Sequence, residues 1–411
     1  MRGDRWVFAC LAGVVACTAH NPRACPNGDC TNPAYPFCDV DGSLGGTPGE
    51  CIAVSCTPMQ FAECRGSDAL TCNATGDNYD SSQCEGTCDP TQGCVTPMPP
   101  RVLYIVFTSD RDGNSEIYRM NPDGSMQTNL TSNPASDTSP MWDPTGERIA
   151  FLSGRSGTQE LYVMAPDGTG VVDVSSGQAQ DAAWSPDGTQ LAFTSTRSGH
   201  PEIYRVAATG GAVSTLTSLG LSTTGNASWS PDGTKLTFGT GEIYVMSSDG
   251  TGQSPITQGS PRGDREPMWS PDGAHIAFVR GLTFENADVF VMNADGSQQQ
   301  DVTVSETTQF EGPVTWDPNS SQLIGEIADG NTGDADFGTG LFSVAPTGSG
   351  FQYVVTPSAY RPCWAGDGMT FCFDSDRSGN AEVYSVSGSG GTPDDLTNSG
   401  GNDTQCSMRP K

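Results

Sequence analysis

Short apolar runs alternate with turn residues along most of the chain. One unit contains the whole pattern: residues 181–184 (Asp-Ala-Ala-Trp), 185–188 (Ser-Pro-Asp-Gly), 191–193 (Leu-Ala-Phe) and 202–206 (Glu-Ile-Tyr-Arg-Val). Such runs, bounded by Pro, Asp, Gly or Ser, are typical of strands joined by turns and not of helices. Proline at the first turn position and glycine at the left-handed one favour a tight hairpin. Each unit is therefore predicted to be a small antiparallel sheet with strands A to D.

Tryptophans mark six copies of this unit, at intervals of 40 to 48 residues: Trp142, Trp184, Trp229, Trp269, Trp316 and Trp364. This period, with several short strands per unit, is typical of a β-propeller blade. Residues 105–107, 116–120 and 130–131 supply strands B, C and D of a further unit that lacks strand A. Residues 403–410 align with residues 137–144 and are predicted to supply it. The predicted fold is all-β, a seven-bladed β-propeller closed by the C-terminal strand, with no free edge.

The repeated strings give the first resemblance to a known family. W-S-P-D-G, I-A-F, S-D-R-D-G-N and E-I-Y-V-M recur from about Arg101 to the end of the chain. This region resembles the TolB-like, WD-type β-propeller repeats of bacterial envelope lipoproteins. The resemblance implies a rigid ring used for binding partners, and it leaves the partner open. TolB itself has six blades and a separate α/β domain, neither of which is matched here, so no role in the Tol–Pal system is implied.

The N-terminus predicts export. Arg2 and Arg5 precede the apolar residues 7–16, which are too few to span a bilayer and are typical of a signal peptide, assigned to residues 1–16. The small residues before Cys17 resemble a lipobox, which predicts cleavage there and lipidation of Cys17, with residues 17–24 as the anchor tail. Ordinary cleavage nearby is the alternative. Thr18 in place of an aspartate favours the outer membrane, and no other segment is predicted to span a membrane.

Ten cysteines crowd residues 25–94, among Gly, Pro, Asn and Asp. In an exported chain this density predicts a disulfide-rich module with five bonds in place of a hydrophobic core. A metal site is the weaker interpretation, because Cys84 and Cys88 have ligand-like spacing but no histidine near them. Residues 95–100 form a stiff Pro-rich linker, and residues 101–411 form the ring.

Three further cysteines lie in the ring. Cys363 precedes the tryptophan of strand A in blade 7, and Cys406 lies in the strand predicted to complete the neighbouring blade 1. A bond between Cys363 and Cys406 would close the seam. Cys372 is predicted to point to the opposite face of its hairpin from Cys363, although a β-bulge would reverse this.

Charge and histidine content restrict the function. The net charge is −29 with nineteen basic residues, which argues against binding nucleic acid or anionic lipid, since both need clustered Lys and Arg. Membrane contact is predicted only through the lipid anchor. His20 lies in the tail, and His200 and His275 are predicted on opposite sides of the ring, so they cannot share a metal. The chain has no G-x-S-x-G string. Catalysis by carboxylates alone stays open.

The best candidate binding positions lie three residues before each tryptophan equivalent, at the predicted channel mouth. They are Ser139, Asp181, Asn226, Glu266, Pro313, Arg361 and Gln405. Asp181, Glu266 and Arg361 are the strongest individual candidates. The alternative is that these side chains are hydrated filler without a ligand.

Two sets of loops offer other candidates. Arg111, Arg155, Arg197 and Arg377 recur in S-x-R-x-G strings and could form an arginine arc. The favoured alternative pairs each arginine with the acid that opens strand C five residues later: Glu116, Glu160, Glu202 and Glu382. The B–C loops of blades 4, 5 and 6 depart from the repeat. In blade 6 the loop carries four oxygen side chains compatible with Ca²⁺, those of Asp329, Asn331, Asp334 and Asp336, although such loops are usually only solvated.

Together these features predict a lipid-anchored envelope or periplasmic protein whose ring is a non-catalytic scaffold for an envelope protein, a peptide or a glycan. Two alternatives remain. One is a carbohydrate lyase or hydrolase that uses carboxylates at the channel mouth, and the other is a structural spacer. No cofactor is predicted apart from Ca²⁺ in the blade 6 loop.

Overall fold

The computed structural model describes residues 103–222, 224–259, 263–281, 287–303, 309–329 and 340–410. For residues 309–313 and 328–329, and for seven short strands between residues 37 and 95, it describes the backbone alone. The chain divides into two compact units, Met1–Arg101 and Val102–Lys411.

In the first unit the described residues form three small antiparallel sheets. Their strands are Phe37–Asp39 with Glu50–Ile52, then Phe61–Arg65 with Asp68–Cys72 and Tyr79–Gln83, and finally Thr87–Asp89 with Gly93–Val95. Short strands of this kind fit a chain segment rich in turn residues.

The second unit is an all-β, seven-bladed propeller, which confirms the predicted fold class. Each blade is a four-stranded antiparallel sheet in the order A-B-C-D. The strands of blades 1 to 3 are Asp403–Met408, Ile105–Ser109, Glu116–Met120 and Thr128–Asn129; Asp137–Trp142, Ile149–Ser153, Glu160–Met164 and Val172–Asp173; and Gln180–Trp184, Gln190–Ser195, Glu202–Ala207 and Ser214–Thr215. Those of blades 4 and 5 are Gly225–Trp229, Lys235–Gly239, Ile243–Ser247 and Ser254–Pro255; and Asp264–Trp269, His275–Arg280, Asp288–Asn293 and Gln300–Asp301. Those of blades 6 and 7 are Gln309–Trp316, Leu323–Asp329, Gly340–Val344 and Gln352–Val355; and Tyr360–Trp364, Thr370–Ser375, Glu382–Ser387 and Asp394–Asp395.

The C-terminal strand closes the ring as the sequence predicts. Asp403–Met408 pairs with Ile105–Ser109 and is strand A of blade 1. The first and last segments of the propeller therefore share one sheet, which removes the free edges that an open ring would expose.

The A–B turns have the chemistry that their sequence suggests. In blade 3 the Gly188 N–H donates to the Ser185 carbonyl at 2.9 Å, and Gly188 has a φ of +67° that only glycine adopts without strain. The Ser185 hydroxyl donates to Asp187 and accepts the Gln190 N–H at 2.9 Å. Each hairpin is thus fixed by its own turn.

Hydrophobic side chains pack between neighbouring blades. One core cluster joins Leu161 of blade 2 to Leu191 and Phe193 of blade 3. Three tryptophans reinforce this packing with an indole N–H that donates to a carbonyl of the preceding blade at 3.2 to 3.3 Å: Trp184, Trp229 and Trp316. The tryptophans are therefore structural elements that join blades.

Candidate functional site: the mouth of the central channel

Strand A of every blade breaks its register shortly before its tryptophan or the equivalent residue. In blade 2 the break lies between Thr138 and Met141, and in blade 3 between Gln180 and Ala183. The residue inside the break has left-handed backbone in six blades: Ser139, Asp181, Asn226, Glu266, Arg361 and Gln405, with φ of 44° to 57°. These are six of the seven positions that the sequence singled out. Non-glycine residues in this region cost about 1 kcal/mol or more each, so the bulge is a strained feature repeated around the ring.

Blade 6 departs from this pattern. Its strand A also breaks register, between Glu311 and Val314. This break lies one residue earlier relative to Trp316 than in the other blades, so its first residue is Gly312 and the position predicted from the spacing, Pro313, is its second. The proline ring fixes φ at a negative value. The side chains of residues 309–313 lie outside the described part of the chain.

Gln405 connects three blades at the seam. Its side-chain carbonyl accepts the Thr108 hydroxyl and the Ser139 N–H, each at 2.9 Å. The backbone N–H of Gln405 donates to Asp374 Oδ2 at 2.9 Å. Gln405 therefore has a structural role at the channel mouth, whatever it binds.

Arg361 lies against two carboxylates, the buried Asp374 and the half-buried Glu326. Its guanidinium is 2.9 Å from Asp374 Oδ2, and its backbone N–H donates to Glu326 Oε1 at 2.7 Å. Burial raises the pKa of Asp374 to about 6 despite this ion pair. The arginine side chain is 55% exposed and Asp374 only 3%, so solvent screens the positive charge much more than the negative one.

The other carboxyls of the mouth form an acidic sector, which we define as Asp181, Glu266 and Glu326. Burial is the largest cause that raises the pKa of each. Repulsion adds to it, from Asp181 on Glu266 and from Glu266 on Glu326. The Arg265 guanidinium, 3.5 Å from Glu266, acts in the opposite direction. Burial and mutual repulsion therefore both disfavour the charged forms of these carboxyls.

A cavity of about 540 Å³ opens beside this sector, along strands A of blades 3 to 5. Asp181, Asn226 and Glu266 all line it. The structure thus brings three of the predicted binding residues to one cavity, while Arg361 and Gln405 lie in the seam network described above.

Sequence reasoning missed Glu326 and Asp374. Both lie on strand B, at the position occupied by Thr108 in blade 1 and Thr194 in blade 3. The available signal was a carboxylate inside an otherwise apolar strand, in Leu-Ile-Gly-Glu-Ile and Phe-Cys-Phe-Asp-Ser.

The predicted pairing of the loop arginines with the acids of strand C is wrong. Arg155 lies over the rings of Phe151 and Tyr162, at 5.2 and 4.8 Å, and its guanidinium is 2.8 Å from Asp137 in strand A. Arg111 pairs in the same way with Asp403 at 2.6 Å. Three of the acids that open strand C accept backbone N–H groups of the D–A loops instead, at 2.7 to 2.8 Å: Glu116, Glu202 and Glu382. The arginines therefore fix loops and do not form a free arc.

The loops of Arg197 and Arg377 lack this carboxylate. Arg197 donates to the Ser175 carbonyl at 3.0 Å, and Arg377 to the Pro357 carbonyl at 3.1 Å. The acid Glu202 accepts the Gly220 N–H at 2.8 Å. Backbone carbonyls thus take the place of the aspartate in these two blades.

The predicted bond between Cys363 and Cys406 is also wrong. Cys406 is bonded to Cys372, and Cys363 is a free thiol. Cys363 and Cys372 are direct partners in their ladder, so their side chains share a face, contrary to the prediction. Cys372 and Cys406 are both buried in the cluster between blades 7 and 1, and burial raises the pKa of the Cys363 thiol.

The histidines lie as predicted, at opposite edges of their blades. His275 opens strand B of blade 5, directly after an A–B turn, and His200 lies in the B–C loop of blade 3. Within the described ranges no three His, Cys, Asp or Glu side chains are grouped closely enough to hold a metal ion.

Several predicted features fall elsewhere in the chain. Cys17 and the signal peptide lie outside the described residues, as do Asn331, Asp334 and Asp336; for Asp329 only the backbone is described. Within the ranges that are described, the structure holds no helix of the length and apolarity that a membrane crossing requires.

Comparison with known proteins agrees with the fold. The family described as the TolB beta propeller domain matches residues 94–182, which confirms the TolB-like resemblance of the repeats. TolB from Acinetobacter baumannii has 16% identity and a TM-score of 0.50, with 86% of this chain and 82% of that chain covered. No curated protein matches the sequence significantly.

Two enzymes share the fold at similar levels. Oligogalacturonate lyase from Vibrio parahaemolyticus has 12% identity and a TM-score of 0.54, with 72% of this chain and 84% of that chain covered. A puromycin-hydrolyzing peptidase from Mycobacterium tuberculosis has 14% identity and a TM-score of 0.54, with 82% and 53% covered. At these identities the likeness concerns the fold alone.

Proposed function

We propose that this TolB-like propeller is a non-catalytic binding scaffold of the bacterial envelope, which takes an envelope protein, a peptide or a glycan at the channel mouth. The observation that carries the proposal is the strained ring of polar side chains beside an open cavity. Left-handed non-glycine residues cluster at binding and catalytic sites, and here six of them occupy one ring. Three of the six, Asp181, Asn226 and Glu266, line the cavity.

The nature of the cavity also favours binding. Concave sites with apolar walls and a few convergent polar groups are the usual form of a ligand site. A side chain with only a structural role should have its polar atoms hydrogen-bonded within the protein, as those of Gln405 are. Glu266 Oε2, in contrast, is buried without a hydrogen-bond partner among the described residues. A ligand group at the cavity would complete the site.

A pull-down with matched variants tests this proposal. The full chain and the triple variant Asp181→Asn, Glu266→Gln, Arg361→Gln would be compared for capture of envelope proteins, peptides and glycans. The control variant Asp376→Asn, Asp394→Asn, Lys235→Gln makes the same charge changes at exposed positions. We expect the channel variant to lose a ligand that the control retains. If both variants capture the same material as the original chain, the channel mouth is not the binding site.

Carboxylate catalysis is the second candidate, favoured by Asp374, whose pKa of about 6 suits a general acid. The acidic sector argues against polyuronate substrates, because it would repel their charges. Turnover of a panel of neutral and charged polysaccharides tests this function, with Asp374→Asn as the inactive variant. If neither turnover nor capture is found, the structural spacer remains.

We propose that the protein is exported and held at the outer membrane by a lipid on Cys17. The support is the leader followed by a cysteine in a lipobox-like context. Cys17→Ser should move the protein from the membrane fraction to the soluble envelope fraction. If the variant stays with the membrane, the anchor is elsewhere. The Ca²⁺ loop of blade 6 stays a prediction, which thermal melting with and without Ca²⁺ would test.

A further inference from the structure

The cavity beside the acidic sector is polar at one end and apolar along its length. Asp181, Asn226 and Glu266 lie at the inner ring, and the walls continue along the same strands. Apart from Ser228 the rest of the lining is apolar, and it includes Ala182, Ala183, Pro267, Met268 and Val314, with Trp184 and Trp229. Because consecutive strand residues advance by about 3.3 Å, this wall follows strand A for roughly 10 Å beyond the carboxylates. An elongated apolar chain with a polar head fits such a groove.

Asp181 has no hydrogen bond or ion pair to any described residue, and burial alone raises its pKa. Glu266 Oε2 is buried and likewise has no hydrogen-bond partner among those residues. Buried carboxylate oxygens normally accept hydrogen bonds. Glu266 Oε2 is thus a vacant buried acceptor, and the exposed Asp181 carboxylate lines the same cavity and is open to a donor there.

Thr194 provides an independent sign of a missing partner. Its side chain is buried, with 3% of the residue exposed, and its hydroxyl has no hydrogen-bond partner among the described residues. A Cβ on Gly225 would lie 3.6 Å from the Thr194 hydroxyl oxygen and 3.9 Å from Asp181 Oδ2. The two groups thus face the same small space, which the absence of a side chain at Gly225 leaves open.

Blade 1 shows what this threonine position does when it has a partner. Thr108 occupies the position of Thr194, since each pairs with the residue before the bulge, Thr404 and Gln180 respectively. Thr108 donates to the inner-ring side chain of Gln405 at 2.9 Å. In blade 3 no such bond is formed, so a hydroxyl and a carboxylate stay available at the inner ring.

The charge of the sector selects a cation. The carboxyls of Asp181 and Glu266 repel each other, as do those of Glu266 and Glu326. Arg265 offsets part of this repulsion at Glu266. A bound positive charge would relieve the rest. The described carboxylates are not grouped tightly enough for a metal ion, which favours a cation that is larger and carries its own hydrogen-bond donors.

We propose that this groove binds a primary ammonium group carried on an aliphatic chain, with the ammonium between Asp181 and Glu266 and the chain along the apolar wall. An ammonium has three donors for the vacant acceptors, and the Thr194 hydroxyl can accept one of them. The chain buries its methylenes against Met268 and Pro267, as lysine stems do on apolar surfaces. The inference rests on the proposed function, since it names the ligand class of the same site.

Such a group has two sources, a free polyamine or a lysine of a peptide. Isothermal titration of the full chain at physiological ionic strength would use spermidine, a tri-lysine peptide, and an uncharged alcohol of the same chain length. Binding of spermidine alone identifies a free polyamine, and binding of the peptide alone identifies a lysine side chain. Either result supports the proposal if the alcohol fails to bind.

Variants decide whether the binding is at this groove. Asp181→Asn and Glu266→Gln should each weaken it by roughly tenfold or more, and Thr194→Val should weaken it less. Asp376→Asn is the control for the attraction of amines to a chain with a net charge of −29. Equal affinity in Asp181→Asn and Asp376→Asn would overturn the proposal, because the amines would then be associating with the surface as a whole.

Two other results would also overturn it. One is binding of neither amine, and the other is binding of Ca²⁺ or Mg²⁺ with the same sensitivity to Asp181→Asn. The proposed function is judged separately. If the triple channel variant loses an envelope ligand while no amine binds, the inference fails and the binding scaffold stands. Melting curves of each variant confirm that the ring is intact.

Discussion

Cys372 in strand B of blade 7 is bonded to Cys406 in the strand that completes blade 1. The bond joins blade 7 to the closing strand, next to the junction where the two ends of the propeller meet. It joins residues that are 34 apart in the chain, and it lies in the core cluster between the two blades. The bond therefore fixes the closing strand to blade 7, while the closure itself, between Asp403–Met408 and Ile105–Ser109, is made by strand pairing.

Cys406→Ser should lower the free energy of unfolding by about 4 kcal/mol, from the loop-closure entropy that the bond removes from the unfolded chain. Equilibrium urea unfolding of the oxidised protein measures this loss. Cys363→Ala is the matched control, because its thiol is free, and it should cost about 1 kcal/mol or less. An equal loss in both variants would show that Cys363 takes part in the bond.

The cysteines also show where sequence reasoning fails. The repeat predicted correctly that Cys406 lies in strand A of blade 1, since the aligned Asp, Thr and Pro fix its place. Which face of the sheet Cys372 occupies depends on the register between strands A and B of blade 7. An error of one residue in that register moves a side chain to the other face. Only the observed ladder, in which Cys363 and Cys372 are partners, settles that register.

Arg155 and Arg197 lie over equivalent pairs of aromatic rings in blades 2 and 3. Their guanidinium groups donate to different kinds of acceptor. Arg155 pairs with Asp137, which is fully buried, and Arg197 donates to backbone carbonyls. Arg155→Met would leave a buried carboxylate without its cation and should cost about 3 kcal/mol. Arg197→Met removes only the stacking on the rings and the hydrogen bonds to uncharged carbonyls, so it should lower the free energy of unfolding by about 1 to 2 kcal/mol. Urea unfolding measures both, and equal costs would show that the ion pair adds nothing.

Asp374 should make stability depend on pH in an unusual direction. Its pKa is about 6 in the folded protein against an ordinary value of 3.8. The folded state thus holds the proton more tightly, so this contribution is complete below about pH 4 and is lost as the pH rises through about 6. The raised pKa values of Asp181, Glu266 and Glu326 act in the same direction.

The measurement is the difference in unfolding free energy between the original chain and Asp374→Asn at several pH values. The variant should gain stability relative to the original chain between about pH 4 and about pH 6, because its neutral amide cannot ionise. Asp376→Asn, at the exposed neighbour, should show no such trend. A constant difference across this range would contradict the raised pKa.

The channel mouth was predictable in part. The bulge recurs three residues before each tryptophan, so counting back from Trp184 or Trp269 finds Asp181 and Glu266. Glu326 and Asp374 were not predictable in this way. Strand B is buried on both faces in most blades and reads as a nearly continuous apolar run, so a single carboxylate within it gives no indication of which face it occupies. The cavity itself depends on how strands A of neighbouring blades are spaced, which no local pattern contains.

Removal of residues 403–411 should prevent the ring from closing. Strand Ile105–Ser109 would lose one of its two partner strands. The buried side chains of Ile105 and Phe107 would then lie at an open edge, which favours aggregation. We expect the truncated chain to lose its cooperative melting transition, and a synthetic peptide of residues 403–411 to restore it in part. Deletion of residues 410–411 alone is the control and should melt as the full chain does. If the longer truncation also melts like the full chain, strand A of blade 1 is dispensable and the ring is held by packing between the other blades.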